Sequence, residues 1–145
     1  AVLFIDVDDF KFINDRFGHS VGDEVIKYVA GCIKQRVKGS GFAGRFGGDE
    51  FVLCITDPKQ IEEIESLSLD LIDELYEGYH SELANVSINV KASIGIAFYP
   101  EHGDDSNKVV AAADEAMYFV KKNGKANYHI YQPEDSEMED LQHTL

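Results

Sequence analysis

Three stretches of this sequence bring together residue types that could bind and turn over a phosphorylated substrate. The first is Ile5-Asp6-Val7-Asp8-Asp9-Phe10-Lys11, where carboxylates follow directly on an apolar run. Carboxylates where a buried strand ends are well placed to hold a hard divalent cation. The helix start introduced by Asp8 and Asp9 would also offer free backbone N–H groups to a phosphate. A solvated strand end closed by a helix N-cap uses the same residues. The second stretch is Gly47-Gly48-Asp49-Glu50. Two glycines permit a tight turn and close approach of the backbone to a ligand, and the adjacent carboxylates could join Asp6 in one metal cluster. A plain polar hairpin would read alike. The third is Lys121-Lys122-Asn123-Gly124-Lys125, a source of the local positive charge a triphosphate needs. Lysines ahead of a capping glycine also complement a helix dipole. Asn14 and Asp23 add an amide and a carboxylate, group types suited to a guanine edge, with the carboxylate accepting from N1–H and N2–H. Each alone reads as a surface or capping residue.

The elements that must position these groups follow from periodicity. Ala1 to Asp8 reads as a buried strand ending in carboxylates. Asp8 and Asp9 suit the N-cap of a short helix with Phe10, Ile13 and Phe17 on one face, closed by Gly18. Ser20 to Val37 repeats the helical pattern through Val21, Val25, Ile26, Val29, Ile33 and Val37. Phe42 to Phe46 and Phe51 to Ile55 form a hairpin around the two glycines. Asp57-Pro58 starts a long helix with Ile61, Ile64, Leu67, Leu71, Ile72 and Leu75 inward. Gly78 to Asn85 reads as a polar connection, Val86 to Tyr99 as β-rich, Ser106 to Lys122 as the last helix and Tyr128 to Tyr131 as a short strand. The acidic tail after Pro133 is expected to be loosely attached, or to begin a helix leading into a further domain. This order argues for an α+β fold, a sheet with helices packed on it.

Composition bounds the function. The chain has 145 residues, 44% of them hydrophobic, which fits one globular domain. A formal charge of −14 argues against nonspecific binding of nucleic acid or anionic membrane. It also means that any polyphosphate must be met by metal ions or a local cationic pocket. Cys32 and Cys54 sit among apolar neighbours and read as reduced cysteines of a cytoplasmic domain. No apolar run is long enough to cross a bilayer.

No single stretch decides the function, but their order does. Arg45-Phe46-Gly47-Gly48-Asp49-Glu50-Phe51 resembles the signature of the GGDEF family with its usual upstream arginine. Phe4 to Asp15, followed by Phe17-Gly18-His19 and Gly22-Asp23, resembles that family's first block. Ser93-Ile94-Gly95-Ile96-Ala97 resembles its late strand, and Ala113 to Tyr118 with Lys121 to Asn127 its closing helix and basic motif. The resemblance covers residues 1–131. It implies a central, mainly antiparallel sheet flanked by helices, similar to the palm of class III nucleotide cyclases and polymerases. It implies a diguanylate cyclase, which condenses two GTP into cyclic di-GMP with release of pyrophosphate. Asp6, Asp49, Glu50 and the backbone carbonyl of Val7 would hold two Mg²⁺ or Mn²⁺ ions, and Asp49 would help deprotonate the attacking 3′-hydroxyl. Gly47 and Gly48 would let GTP lie against the hairpin, with Phe10 also in the substrate site. Asn14 and Asp23 would read guanine, and Lys11, Lys121 and Lys125 would hold phosphates. One domain holds one GTP, so a two-fold product calls for a homodimer of facing half-sites.

Departures from the family pattern carry expectations of their own. The product-inhibition motif, arginine and aspartate three residues apart, falls on Lys38-Gly39-Ser40-Gly41. Lysine cannot make the planar two-pronged contact of arginine, and glycine offers no carboxylate, so that inhibitory site is expected to be absent. Lys125 stands where the family usually has arginine. The family's helix ahead of Ala1 is missing, and residues 132–145 read as an acidic tail or a linker to sensor or phosphodiesterase domains, with membrane anchoring of a full-length protein left open. The alternative function is a regulatory GTP-binding module controlling an attached cyclic di-GMP phosphodiesterase. A module that only binds cyclic di-GMP is disfavoured by the decayed inhibitory motif.

Overall fold

The computed structural model describes residues 1–136, and the alternation of its first strand divides it into two layers. In chain order the elements are β1 (Val2–Val7), α1 (Phe10–Phe17), α2 (His19–Val37), β2 (Gly41–Gly47), β3 (Glu50–Ile55), α3 (Ile61–Glu77), β4 (Tyr79–Ser81), β5 (Val86–Ile88), β6 (Ala92–Ala97), α4 (Ser106–Lys122) and β7 (Tyr128–Ile130). The main sheet has the order β2-β3-β1-β6-β7. β1 is antiparallel to both β3 and β6, while β6 and β7 are parallel. The sheet is thus mixed and mainly antiparallel, the α+β arrangement expected.

Successive side chains of a strand point to opposite faces. Leu3, Ile5 and Val7 join the core built with Val21, Val25 and Val29 of α2 and Ile64, Leu71 and Leu75 of α3. Val2 and Phe4 lie on the other face, with Val109, Ala112, Ala113 and Met117 of α4. Leu3, Ile5, Leu53, Leu71, Ile94 and Ile96 are fully buried, each worth roughly 1.5–3 kcal/mol of apolar transfer. α4 approaches the sheet unusually closely. A Cβ on Gly95 would lie 2.0 Å from the Ala113 oxygen and 2.2 Å from the Met117 nitrogen. Glycine in β6 therefore lets the helix backbone rest on the strand.

Several boundaries differ from the sequence expectation. α3 begins at Ile61 and not at Asp57-Pro58, because Asp57 is left-handed (φ 49°) and cannot lead straight into a helix. The Glu63 carboxylate instead receives the Lys59 N–H at 3.1 Å. Ile61, expected inward, is 49% exposed at the helix start. The polar connection at 78–85 contains β4, paired with β5 in a separate ribbon. Three residues are too few to show a period, so only the tertiary contacts define that strand. The ribbon is fastened to α2 by Ser81 Oγ donating to Glu24 at 2.7 Å. Of the two expectations for the tail, a helical start is what residues 133–136 show, and they are tied down as far as Ser136. Asp135 is buried against His129 at 3.1 Å, and Ser136 bonds to Tyr131 and Glu115. The remainder of the acidic tail, residues 137–145, lies outside the described residues. Cys32 and Cys54 are both free. Among the described residues no helix is long and apolar enough to cross a membrane.

Gly95→Ala should destabilise the domain by about 3 kcal/mol, since both clashing atoms are backbone and neither can swing away. Urea unfolding followed by circular dichroism reads this as a lowered midpoint with an unchanged slope. An unchanged midpoint would show that α4 does not need the glycine.

Candidate active site

Strand register assembles the acidic end of the site. Asp6 stands opposite Glu50 of β3 on one side and Ser93 of β6 on the other. The Val7 N–H donates to the Asp49 carbonyl at 3.1 Å, so the hairpin tip is pinned to the end of β1. Asp6 continues the Val2–Phe4 side of the strand, and Asp8 follows on that side too. This is the face of α4, whose last turn brings Lys121. The Lys121 ammonium lies 3.5 Å from Asp6 and 2.5 Å from Asp8.

The environment of Asp6 is unbalanced. Burial pushes its carboxyl up to about 7, the Lys121 ammonium pulls it down, and the like charges of Asp49 and Glu50 push it up again. Its Oδ1 is buried without a hydrogen-bond partner, an arrangement native structures rarely leave uncompensated. Among the described residues no three carboxylate, imidazole or thiol groups converge closely enough to hold an ion unaided. Mg²⁺ commonly takes one or two carboxylates and fills its other positions with water and substrate phosphates. An orphaned carboxylate oxygen with Glu50 across the ladder and Asp49 beside it fits that kind of site.

The hairpin tip is braced from within. Arg45 donates to the Gly48 carbonyl at 2.5 and 3.0 Å and to the Gly47 carbonyl at 3.2 Å, while β2 carries a register shift between Arg45 and Gly47. The turn itself does not demand glycine. Neither Gly47 nor Gly48 has a positive φ, and a Cβ on Gly48 would meet nothing within 4 Å. What the two glycines supply is bare backbone beside open space.

The base-reading candidates sit apart from the carboxylates, where α1 crosses α2. Asn14 is half-buried and Asp23 exposed. A Cβ on Gly22 would fall 1.8 Å from Asn14 Oδ1 and 3.3 Å from the Phe10 ring, so the missing side chain makes room for both. Lys11 is exposed. Lys125 is exposed and left-handed (φ 63°), with its ammonium 2.8 Å from Asp9. That bond holds the Asp9 carboxyl below its usual range and raises Lys125. Neither acidic residue caps α1 as expected. Asp9 is left-handed (φ 56°) and makes no side-chain cap bond, and Asp8 is turned inward. A cavity of about 720 Å³ lies at the opposite end of the sheet, beside Ala1, Phe98 and His102, and touches none of these groups.

Sequence reasoning missed three contributors. Asp8 was assigned to a cap although it is buried, with an inaccessible side chain; the Asp6-x-Asp8 spacing was the available signal, since it puts both carboxylates on one side of a strand. The bracing by Arg45 and the room made by Gly22 have no signature in spacing alone. The Lys38 to Gly41 turn also proves tighter than composition suggests. A Cβ on Gly41 would lie 1.8 Å from the Cys54 carbonyl, so a side chain at 41 is blocked by backbone.

Comparison with known proteins identifies the family. The family model described as "Diguanylate cyclase, GGDEF domain" matches residues 1–127. The chain is 36% identical over 132 residues to the bifunctional diguanylate cyclase/cyclic di-GMP phosphodiesterase MucR of Pseudomonas aeruginosa, covering 91% of this chain and 19% of MucR. It is 34% identical over 132 residues to the diguanylate cyclase DosC of Escherichia coli, covering 90% of this chain and 28% of DosC. The chain therefore spans less than a third of the length of either relative. The solved GGDEF domain of YfiN (TpbB) from Pseudomonas aeruginosa superposes with a TM-score of 0.91 at 31% identity, over 96% of this chain and 80% of that one.

Asp6→Asn should stabilise the metal-free domain at pH 8 by about 2 kcal/mol. The native carboxyl titrates near 7 against an ordinary 3.8, so Asp6 costs stability as pH rises from about 4 to 7. The benefit of the amide should therefore fade on acidification through that window. Urea titrations in chelator at pH 8 and pH 4 measure it; an equal difference at both pH values would remove the charge-burial account.

Proposed function

This chain belongs to the GGDEF family, and on that premise we propose that it is a diguanylate cyclase domain, condensing two GTP into cyclic di-GMP and pyrophosphate. The observation that carries this reading is the buried, unpartnered Asp6 oxygen beside Glu50 and Asp49. Asp6, Glu50, Asp49 and the Val7 carbonyl would hold two Mg²⁺ or Mn²⁺ ions. When bound, these would supply activation of the 3′-hydroxyl and neutralisation of charge at the α-phosphate.

The chain's own groups account for the rest. Lys121, Lys125 and Lys11 meet the phosphates, Asn14 and Asp23 read guanine from the α1–α2 crossing, and Phe10 lines the site. The bare backbone of Gly47 and Gly48, held by Arg45, gives the nucleotide a surface to lie on. Asp49 accepts the proton of the attacking 3′-hydroxyl. Each domain supplies half of the reaction, so two copies face one another as a homodimer and proximity provides much of the rate. In a longer protein, sensor or phosphodiesterase domains would govern that encounter, and GTP as substrate places the domain in the cytoplasm. A second reading, a regulatory GTP-binding module acting on an attached phosphodiesterase, is favoured by the cyclic di-GMP phosphodiesterase PdeR of Escherichia coli, 32% identical over 134 residues, whose name gives the phosphodiesterase activity alone. Binding of GTP without product would select it.

Incubation of the domain, dimerised through a fused parallel coiled coil, with GTP and Mg²⁺ should yield cyclic di-GMP on chromatography. Glu50→Gln should abolish it without lowering thermal stability, since the hairpin tip carries little packing. Full turnover in that variant would mean that the carboxylates are misassigned. ATP should bind far more weakly than GTP, by about 1–3 kcal/mol for one mispaired base edge, and equal affinities in calorimetry would remove guanine readout.

Product should not bind at the Lys38 to Gly41 turn. Gly41→Asp should therefore fail to create tight cyclic di-GMP binding, because the new side chain meets the Cys54 carbonyl, and should lower the melting temperature instead. Submicromolar binding gained by this variant in calorimetry would show that the turn can open.

A further inference from the structure

Asp8 belongs to no role so far assigned, yet it is the most completely bonded carboxylate at this end of the molecule. Its side chain is inaccessible to solvent. Oδ1 accepts from Ser93 Oγ at 2.7 Å and from the Lys121 ammonium, and Oδ2 accepts from the Ala126 N–H at 2.9 Å. These partners come from β6, the last turn of α4 and the loop beyond it, so one carboxylate ties three separate segments to the end of β1. The tie to Ala126 has a further effect. Lys125 and Ala126 are consecutive left-handed residues (φ 63° and 49°), a conformation L-residues rarely adopt and one that needs an external hold. Asp8 supplies part of that hold through the Ala126 N–H, beside the bond from the Lys125 N–H to the Val120 carbonyl at 2.9 Å, and the resulting turn directs Lys125.

We propose that Asp8 is a positioning residue for the phosphate-holding end of the site, anchoring Lys121 and shaping the turn that carries Lys125. The role in phosphate binding rests on the cyclase reading; the anchoring of Lys121 does not. Lys121 stands between two carboxylates, bonded to Asp8 and 3.5 Å from Asp6. With Asp8 in place its ammonium stays 3.5 Å from Asp6 Oδ2, and Asp6 Oδ1 remains without a partner. Without Asp8 the nearest remaining anion is Asp6. The lysine would then occupy the place of the ion it is meant to work beside, and the 123–126 turn would lose the one backbone anchor that ties it to the end of β1, keeping its bonds back to α4. Asp9, exposed and paired with Lys125, cannot substitute because it reaches neither Lys121 nor the Ala126 N–H.

The test uses the isosteric variant Asp8→Asn and two readouts. The first is the rate at which Lys121 is acetylated by an activated ester in the nucleotide-free protein, read by mass spectrometry with exposed Lys122 as internal reference. The second is the affinity for GTP relative to GMP, both with Mg²⁺, by displacement of a fluorescent GTP analogue. Asp8→Asn is expected to raise Lys121 labelling several-fold and to cut the GTP-to-GMP preference by roughly ten- to a hundredfold, as loss of a charge-assisted anchor should. A merely structural role would lower the melting temperature and leave that preference intact in the folded protein, which would overturn the proposal. Unchanged labelling of Lys121 would overturn it as well. Should the variant fail to fold, the unaltered protein still decides: Lys121 must label roughly tenfold more slowly than Lys122, and equal rates refute the anchor. If the unaltered protein prefers GTP but makes no cyclic di-GMP, the cyclase reading fails while the positioning role stands. If it shows no preference for GTP over GMP, both fail.

Discussion

Two carboxylates at the end of the central strand, Asp8 buried and Asp6 half-buried, with the Lys121 ammonium between them, set the terms for the rest of this molecule. Asp6 and Asp8 share one face of the strand line, and the Lys121 ammonium is bonded to Asp8 and lies 3.5 Å from Asp6. Burying carboxylates is costly unless they are paired and hydrogen-bonded, so the last turn of α4 has to arrive within bonding distance. That is possible because Gly95 lets the helix backbone rest on β6. A surface feature of sequence, a lysine near a helix end, thus depends on a glycine in the middle of a strand and on three alanines along α4, Ala112, Ala113 and Ala116.

The two carboxylates resolve their burial differently, and the contrast separates framework from chemistry. Asp8 has a donor for each oxygen and holds three segments together. Asp6 keeps one oxygen unpaired and faces Asp49 and Glu50, so its charge is opposed by like charges and only partly offset by Lys121. In a chain of net charge −14, such a concentration of negative charge costs stability wherever no cation offsets it. A residual destabilisation of this kind is common at functional sites.

The same close packing that builds the site removes another feature. The turn from Lys38 to Gly41 returns the chain from α2 to β2, with Ser40 bonded back to Val37 and to Thr56, and Gly41 lies directly against the Cys54 carbonyl. At position 41 the local backbone leaves no space for a side chain. The chain itself spans a minor share of the lengths of MucR and DosC.

Sequence by itself determined the parts whose signal is local. The 3.6-residue period of α2 and α4, the glycine pair between two apolar runs, and the carboxylates after Ile5 lie within a few residues of one another, and propensity and patterning suffice to read them. The ordered motifs extended this to the family. Tertiary structure decided what depends on residues far apart. Strand register set Asp6 opposite Glu50, and the parallel docking of β7 beside β6 made the sheet mixed. The three-residue strand β4 exists only because β5 pairs with it. The identity of Asp8 illustrates the limit most clearly: next to a helix start a carboxylate reads as a cap, because capping is the local use of that residue type. Its actual partners are 85, 113 and 118 positions away. No pattern within one element can encode a bond whose donor arrives only when the sheet and its last helix close on each other.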